Sequence, residues 1–217
     1  MASGTRRDWQ PTAFPVDPAA IRQLRDYLDG YDFYGVEHDF RGADLSGGDF
    51  YSAWLYDAVL VGVRLAGASF YRAHLQSADL TGADLTGADL VKADFDGAVL
   101  RSARLDRADM VGASLYGVDA RGASFRGTRF LGASLCGVDM KGADLTDAVM
   151  QGNSFKVTVD DTTVVRGLTG TVFGPITVVG GEVSRELAGA ELEAWIGARG
   201  GQVRVIAPGK QQEDPRS

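Results

Sequence analysis

The stretch ADLTGADLTGADLVKADF (residues 78–95) repeats a five-residue unit with almost no drift. An α-helix would carry such a unit around its whole surface, because five steps of about 100° overshoot a full turn by about 140°. In an extended chain, a residue and the one two before it point to the same side. Ala78 and Leu80 therefore share a face, as do Ala83 and Leu85. The alternation resets every five residues, so the chain must turn between units. If each unit is one side of a square, about four units close a coil, and successive coils stack as parallel strands about 4.8 Å apart.

The phase extends far on both sides of this stretch. Every fifth residue from Phe40 to Phe155 is apolar, which makes 24 units without an insertion. The residue two earlier is usually alanine, as a narrow lumen requires, and glycine is frequent two residues later, where it eases a corner. Stacked in fours, these units give a rod roughly 29 Å long. The A(D/N)LXX pattern resembles the pentapeptide-repeat family. The resemblance implies an all-β repeat solenoid: a right-handed quadrilateral parallel β-helix of about six coils over residues 40–156.

The flanks differ in composition. Residues 1–39 contain VDPAAIRQLRDYLDG, with Asp17 as N-cap, Pro18 at the first helical position, an apolar stripe of Ile21, Leu24 and Leu28, and Gly30 as a stop. This reads as a capping helix, followed by an aromatic, degenerate first coil in YDFYGVEHD. After Phe155 the register breaks at KVTVDDTTVVRG, and residues 157–207 read as a small α+β cap or dimerisation module. Its strands flank Gly174-Pro175 and recur in QVRVIA, and its helix presents Leu192, Trp195 and Ile196 as candidate docking residues. Residues 208–217 read as a polar, mobile tail.

Composition narrows the function classes. A net charge of −7 argues against a general affinity for nucleic acid or anionic membrane. No window approaches the ~18 uninterrupted apolar residues of a membrane span, and no export signal is evident. The single cysteine, Cys136, excludes an internal disulfide and points to a reducing cytoplasm.

Because residues twenty apart stack on one face, columns rather than neighbours carry functional information. Asp44, Arg64, Asp84 and Arg104 alternate in sign and pair with one another. Arg41, Arg101, Arg121 and Lys141 make one edge basic, flanked by Asp79, Asp119 and Asp139. The column Tyr51, Tyr71, Val91, Val111, Leu131 is apolar although it faces outward, which marks a candidate interaction ridge, either covered by the terminal segments or open to a partner. The column Trp54, His74, Asp94, Ser114 contains hydrolase residue types in an order that does not place histidine between nucleophile and acid. Cys136 stands three coils from His74, too far for a thiolate–imidazole pair, and Asp94 with Asp96 alone makes a weak oxygen-ligand set whose reading as structural or solvated acids is favoured. The expectation is a non-enzymatic protein without catalytic residues, metal or cofactor, which binds a protein partner. Family resemblance suggests DNA gyrase, engaged by a duplex-DNA mimic in antibiotic resistance or self-resistance, with a homodimer as a further arrangement. The repeat region holds 14 Asp against 11 Lys plus Arg, a net of −3, which is modest for such a mimic. The alternative is a rigid scaffold or adaptor that uses the apolar ridge or the C-terminal module.

Overall fold

The computed structural model describes residues 9–206; the tail expected from residue 208 lies outside them. Parallel bridges join residues twenty apart on each of four sides, for example Asp79↔Val99, Asp84↔Arg104, Asp89↔Asp109 and Asp94↔Ser114. We number the sides by the apolar residue at their centre: face 1 carries Phe40, Leu60 and Leu80, face 2 Leu45 and Leu65, face 3 Phe50 and Phe70, and face 4 Leu55 and Leu75.

Hydrogen bonding explains why the unit is five residues long. In the unit Leu80–Asp84, the Leu80 and Gly82 amides donate upward to Val99 O (2.8 Å) and Arg101 O (2.8 Å), and the Asp84 amide donates downward to Val63 O (3.0 Å). The Ala83 amide closes a turn onto Leu80 O (3.0 Å), and the remaining amide, of Thr81, donates to the Asp79 carboxylate (2.9 Å). Every N–H of the unit is thus satisfied, as a buried backbone demands. The turn needs a positive φ at its second central residue. Gly82 has φ 65°, and Arg72 and Lys92 adopt φ 59° at the equivalent position despite their side chains.

The lumen is a column of buried centre residues alternating with alanines. Phe95, Leu100, Leu105 and Met110 form one fully buried layer. In the next layer, Ala120 replaces the usual large residue where Phe125 and Phe130 meet with ring centroids 5.4 Å apart. Polar residues in the alanine slots are also satisfied: Thr128 Oγ1 donates to Leu105 O (2.6 Å) and Asn153 Nδ2 to Ala133 O (3.2 Å).

Helix α1 (Pro18–Leu28) closes the N-terminal end, with the Asp17 carboxylate accepting from the Ala19 and Ala20 amides. Its buried face is Ala20, Leu24 and Tyr27, whereas Ile21 and Leu28, expected to share the stripe, are only half-buried. The rotation follows from the aromatic plug beneath it: Tyr27 stacks on Phe50 (5.6 Å), and Phe33, from the degenerate first coil, packs on Phe40 and Phe50.

At the other end the solenoid continues past the break expected at residue 156. Strands β1 (Arg129–Leu131) and β2 (Ser134–Asp139) both pair in parallel with β3 (Val149–Asp160), where the register shifts by one residue. Val159, four residues after Phe155, enters the lumen, and Val165 follows six later, so the slip cancels over two units. Two strands, β4 (Thr169–Phe173) and β5 (Ile176–Gly180), then stack on β3, and β6 (Val183–Leu187) pairs antiparallel with β5. Gly170 falls in a centre slot, where an added Cβ would stand 1.6 Å from Met150 O. No side chain can occupy that slot. Helix α2 (Gly189–Gly197) and strand β7 (Gln202–Val205), which pairs with β4, complete the cap. Among the described residues no helix is long and apolar enough to cross a membrane.

Candidate interaction surface

The aspartates belong first to the scaffold. One oxygen of each aspartate that immediately precedes a centre residue accepts the amide two residues on, as in Asp84 to Thr86 (3.0 Å), Asp89 to Val91 (3.1 Å) and Asp94 to Asp96 (3.0 Å), a short side-chain link that aspartate makes readily. Where the column carries serine instead, carboxylates from the coil below substitute: Asp96 takes the Tyr116 amide (2.9 Å) and Asp106 the Arg126 amide (3.3 Å).

On faces 1 to 3 the second oxygen of most of these aspartates meets a cation, Asp79 and Asp89 being exceptions among the described residues. Asp119 pairs with Arg101 (2.6 Å) and Arg121 (2.7 Å), Asp144 with Arg126 (2.8 Å), Asp109 with Arg129 (2.6 Å) and Asp139 with Lys141 (3.1 Å). Hydrogen bonding by Arg121 and then Arg101 holds the Asp119 carboxyl down at about 2. The Thr12 hydroxyl, Ser46 and Arg64 hold that of Asp44 well below the usual carboxylate range. No column of any face has more than two acids in succession.

Face 4 differs from the other three. Its residues 33–37, 53–57, 73–77, 93–97, 113–117 and 133–137 contain four acids, Glu37, Asp57, Asp94 and Asp96, and neither lysine nor arginine; a single cation, Lys156, joins the face in the next unit, above Cys136. None of its charges is in an ion pair among the described residues. It carries a ladder of rings: Tyr34 to Trp54 at 6.3 Å, Trp54 to His74 at 4.9 Å and Trp54 to Tyr56 at 5.6 Å. Tyr34 and Trp54 are exposed, and so is Tyr116 further along. The apolar ridge runs along the corner between faces 3 and 4: Tyr51, exposed, stacks on Tyr71 at 5.7 Å and 7°, and Val91, Val111 and Leu131 continue it half-buried. Ridge and ladder thus form one aromatic surface toward the N-terminal end. Tyr34, Tyr56 and the Trp54–His74 stack escape a search by residue type for catalytic sets, but the twenty-residue columns contain them.

The other candidates separate. Leu192, Trp195 and Ile196 are buried at 0%, 6% and 0% exposure, so they dock α2 onto the rod's own end and are closed to an outside partner. Arg199 covers the Trp195 ring at 4.1 Å and pairs with Asp161. His74 lies against Trp54 rather than a serine, Asp94 accepts from Gln76 (2.7 Å), and Cys136 lies 3.4 Å from Ser154 Oγ. Among the described residues, no three His, Cys, Asp or Glu converge as a metal site.

A repeat solenoid whose backbone and acids are consumed internally, and whose variation lies on its outer faces, is defined by its repeat. The pentapeptide-repeat model matches residues 55–87, 78–115 and 113–152, with eight copies, and the chain belongs to the pentapeptide-repeat family of β-helix solenoids. No curated protein sequence matches it. Similar solved structures include Rfr23, a pentapeptide repeat protein from the cyanobacterium Cyanothece 51142 (22% identity, 56% of this chain and 90% of that one, TM-score 0.43). A pentapeptide repeat protein of the Arabidopsis thaliana thylakoid lumen shares 33% identity over 48% of this chain and 69% of its own (TM-score 0.31). The plasmid-mediated fluoroquinolone resistance protein QnrB1 shares 18% over 60% and 75% (TM-score 0.36).

Proposed function

We propose that this chain is a non-enzymatic, protein-binding rod whose recognition surface is face 4 together with the ridge at its corner. The observation that carries the reading is the contrast between faces. Three neutralise most of their acids with adjacent cations, whereas the fourth has none of its four acids in an ion pair among the described residues and sets them beside a ladder of rings. Exposed pairs contribute only about 0–1 kcal/mol each, but they cancel local charge and leave little to steer a partner. Rings flanked by uncompensated carboxylates suit a basic segment, since an arginine can stack on Trp54 and pair with a carboxylate. A reducing cytoplasm remains the proposed compartment, on the strength of the lone Cys136.

Gyrase engagement by duplex mimicry is less well supported, because mimicry calls for continuous anionic columns and the acids here are interrupted and paired. Two assays separate the readings. Trp54→Ala with Tyr71→Asp should abolish capture of a partner that Thr86→Glu on face 2 retains, with circular dichroism unchanged in both variants. Equal capture by the two would remove face 4 from the account. A supercoiling assay with purified gyrase, with and without a fluoroquinolone, should show no effect of the protein. An effect that survives loss of the aromatic ladder would restore the mimic.

A further inference from the structure

A hollow opens beyond the aromatic ladder, where face 4 continues past Cys136 into Ser154 and Lys156. It lies at the C-terminal end of the rod, where a cavity of about 680 Å³ opens between β3, the β4–β5 connection, the start of α2 and the end of β7. Its walls are Phe173, Pro175, Val205 and Ile206, with Ala188 and Gly189 at the rim. Only two side chains on its lining are polar: Ser154 and Lys156.

Both are fixed by the ladder. Lys156 is the register partner of Cys136, and Ser154 Oγ is held by Ser134 Oγ (3.4 Å) and the Leu135 amide (3.3 Å). Lys156 shares its unpaired state with Arg72, Lys92 and Arg107 but is the one of these four that lines the cavity. It has no carboxylate within ion-pairing distance among the described residues, although the rod pairs most of its other basic side chains. Glu193, on α2, accepts the Val205 amide (2.7 Å). The cavity is therefore lined mainly by apolar residues, with an exposed, unpaired lysine and one half-buried serine among them.

We propose that this cavity binds a free aliphatic monocarboxylate, with the carboxylate on Lys156 and Ser154 and the chain between Phe173, Pro175 and Val205. Its size falls within the ~300–1,000 Å³ range of small-molecule sites, which are mostly apolar with a few polar groups that fix orientation. A neutral apolar ligand would leave Lys156 unused, and a cationic amphiphile would be repelled by it. The site is separate from the aromatic ladder and does not depend on the protein-binding reading.

The test is a titration of the isotopically labelled full-length protein with sodium decanoate, decanol and decyltrimethylammonium, followed by amide chemical shifts and calorimetry. Decanoate should bind saturably at one site, with shifts confined to residues around Lys156, Phe173, Gly189 and Val205. Decanol should bind several-fold more weakly and the ammonium compound not at all. Lys156→Gln should weaken decanoate about fivefold, the scale of one exposed ion pair, and leave decanol unchanged. Val205→Trp should remove both, with an unaltered spectrum elsewhere. The proposal is overturned if decanoate fails to saturate, which is also the result expected if the chain's own C-terminal residues fill the cavity. It is equally overturned if the shifts map to the Tyr51–Tyr71 ridge, or if Lys156→Gln binds decanoate as tightly as the wild type.

Discussion

Replacing Ala120 by leucine is the sharpest probe of how the lumen is packed. Ala120 is fully buried at a centre slot of face 1, and Phe130 occupies the slot opposite on face 3, in contact with Phe125 at 5.4 Å. Leucine adds three carbons where the rings already fill the layer, and overpacking of this kind costs about 1–3 kcal/mol. Phe130→Leu removes three carbons from across the lumen, and at about 0.8 kcal/mol per buried carbon it costs roughly 2–3 kcal/mol once the cavity is counted. The double variant restores the volume of the layer, so it should lose less than about 1.5 kcal/mol and show a coupling of about 2 kcal/mol or more. Urea unfolding of the four proteins, followed by circular dichroism, measures the cycle. Additive losses, or a neutral Ala120→Leu, would refute the claim that the alanine compensates for the paired phenylalanines.

Three further outcomes follow from the same hydrogen-bond and charge pattern. Asp79→Ala should lower stability by about 1 kcal/mol by orphaning the Thr81 amide, while Asp79→Asn, which keeps an acceptor, should melt close to wild type; equal melting of the two would deny the aspartate its backbone role. Arg72→Gly, at φ 59°, should stabilise by about 0.5–1 kcal/mol, since relief of left-handed strain outweighs the added chain entropy of glycine; a lower melting temperature would contradict this. Asp119 is depressed from 3.8 to about 2, so its contribution is complete above the unfolded value and is lost as pH falls through the folded one. Urea midpoints should therefore drop between about pH 4 and pH 2, and Asp119→Asn should flatten that drop.

Much of this architecture can be read from residue spacing alone. Leu80 and Ala78 announce an extended side with an inward face, and the glycine at residue 82 announces its corner, because only the left-handed region turns the chain there. Charge counting misreads the aspartates: Asp79 looks like a surface acid, yet its acceptor role becomes evident only when the amide of Thr81 is found to lack any other partner. The apparent break after Phe155 hides a coil, because intervals of four and six residues destroy the phase locally but preserve it over ten. Leu192, Trp195 and Ile196 form an apolar stripe that the sequence cannot assign to an inside or an outside; burial under the cap decides it. The ring ladder lies in the column of residue 54, whose Trp54, His74, Asp94 and Ser114 also have the residue types of a catalytic set, so residue type alone does not single out the rings.

The most direct measurement is site-specific photo-cross-linking in the native cell. A photoreactive amino acid placed at Tyr56 or His74 on face 4 should give a discrete cross-linked protein, and the same residue at Ala66 or Thr86 on face 2 should give none. Products from face 2 alone, or from both faces alike, would contradict the assignment of recognition to the aromatic face.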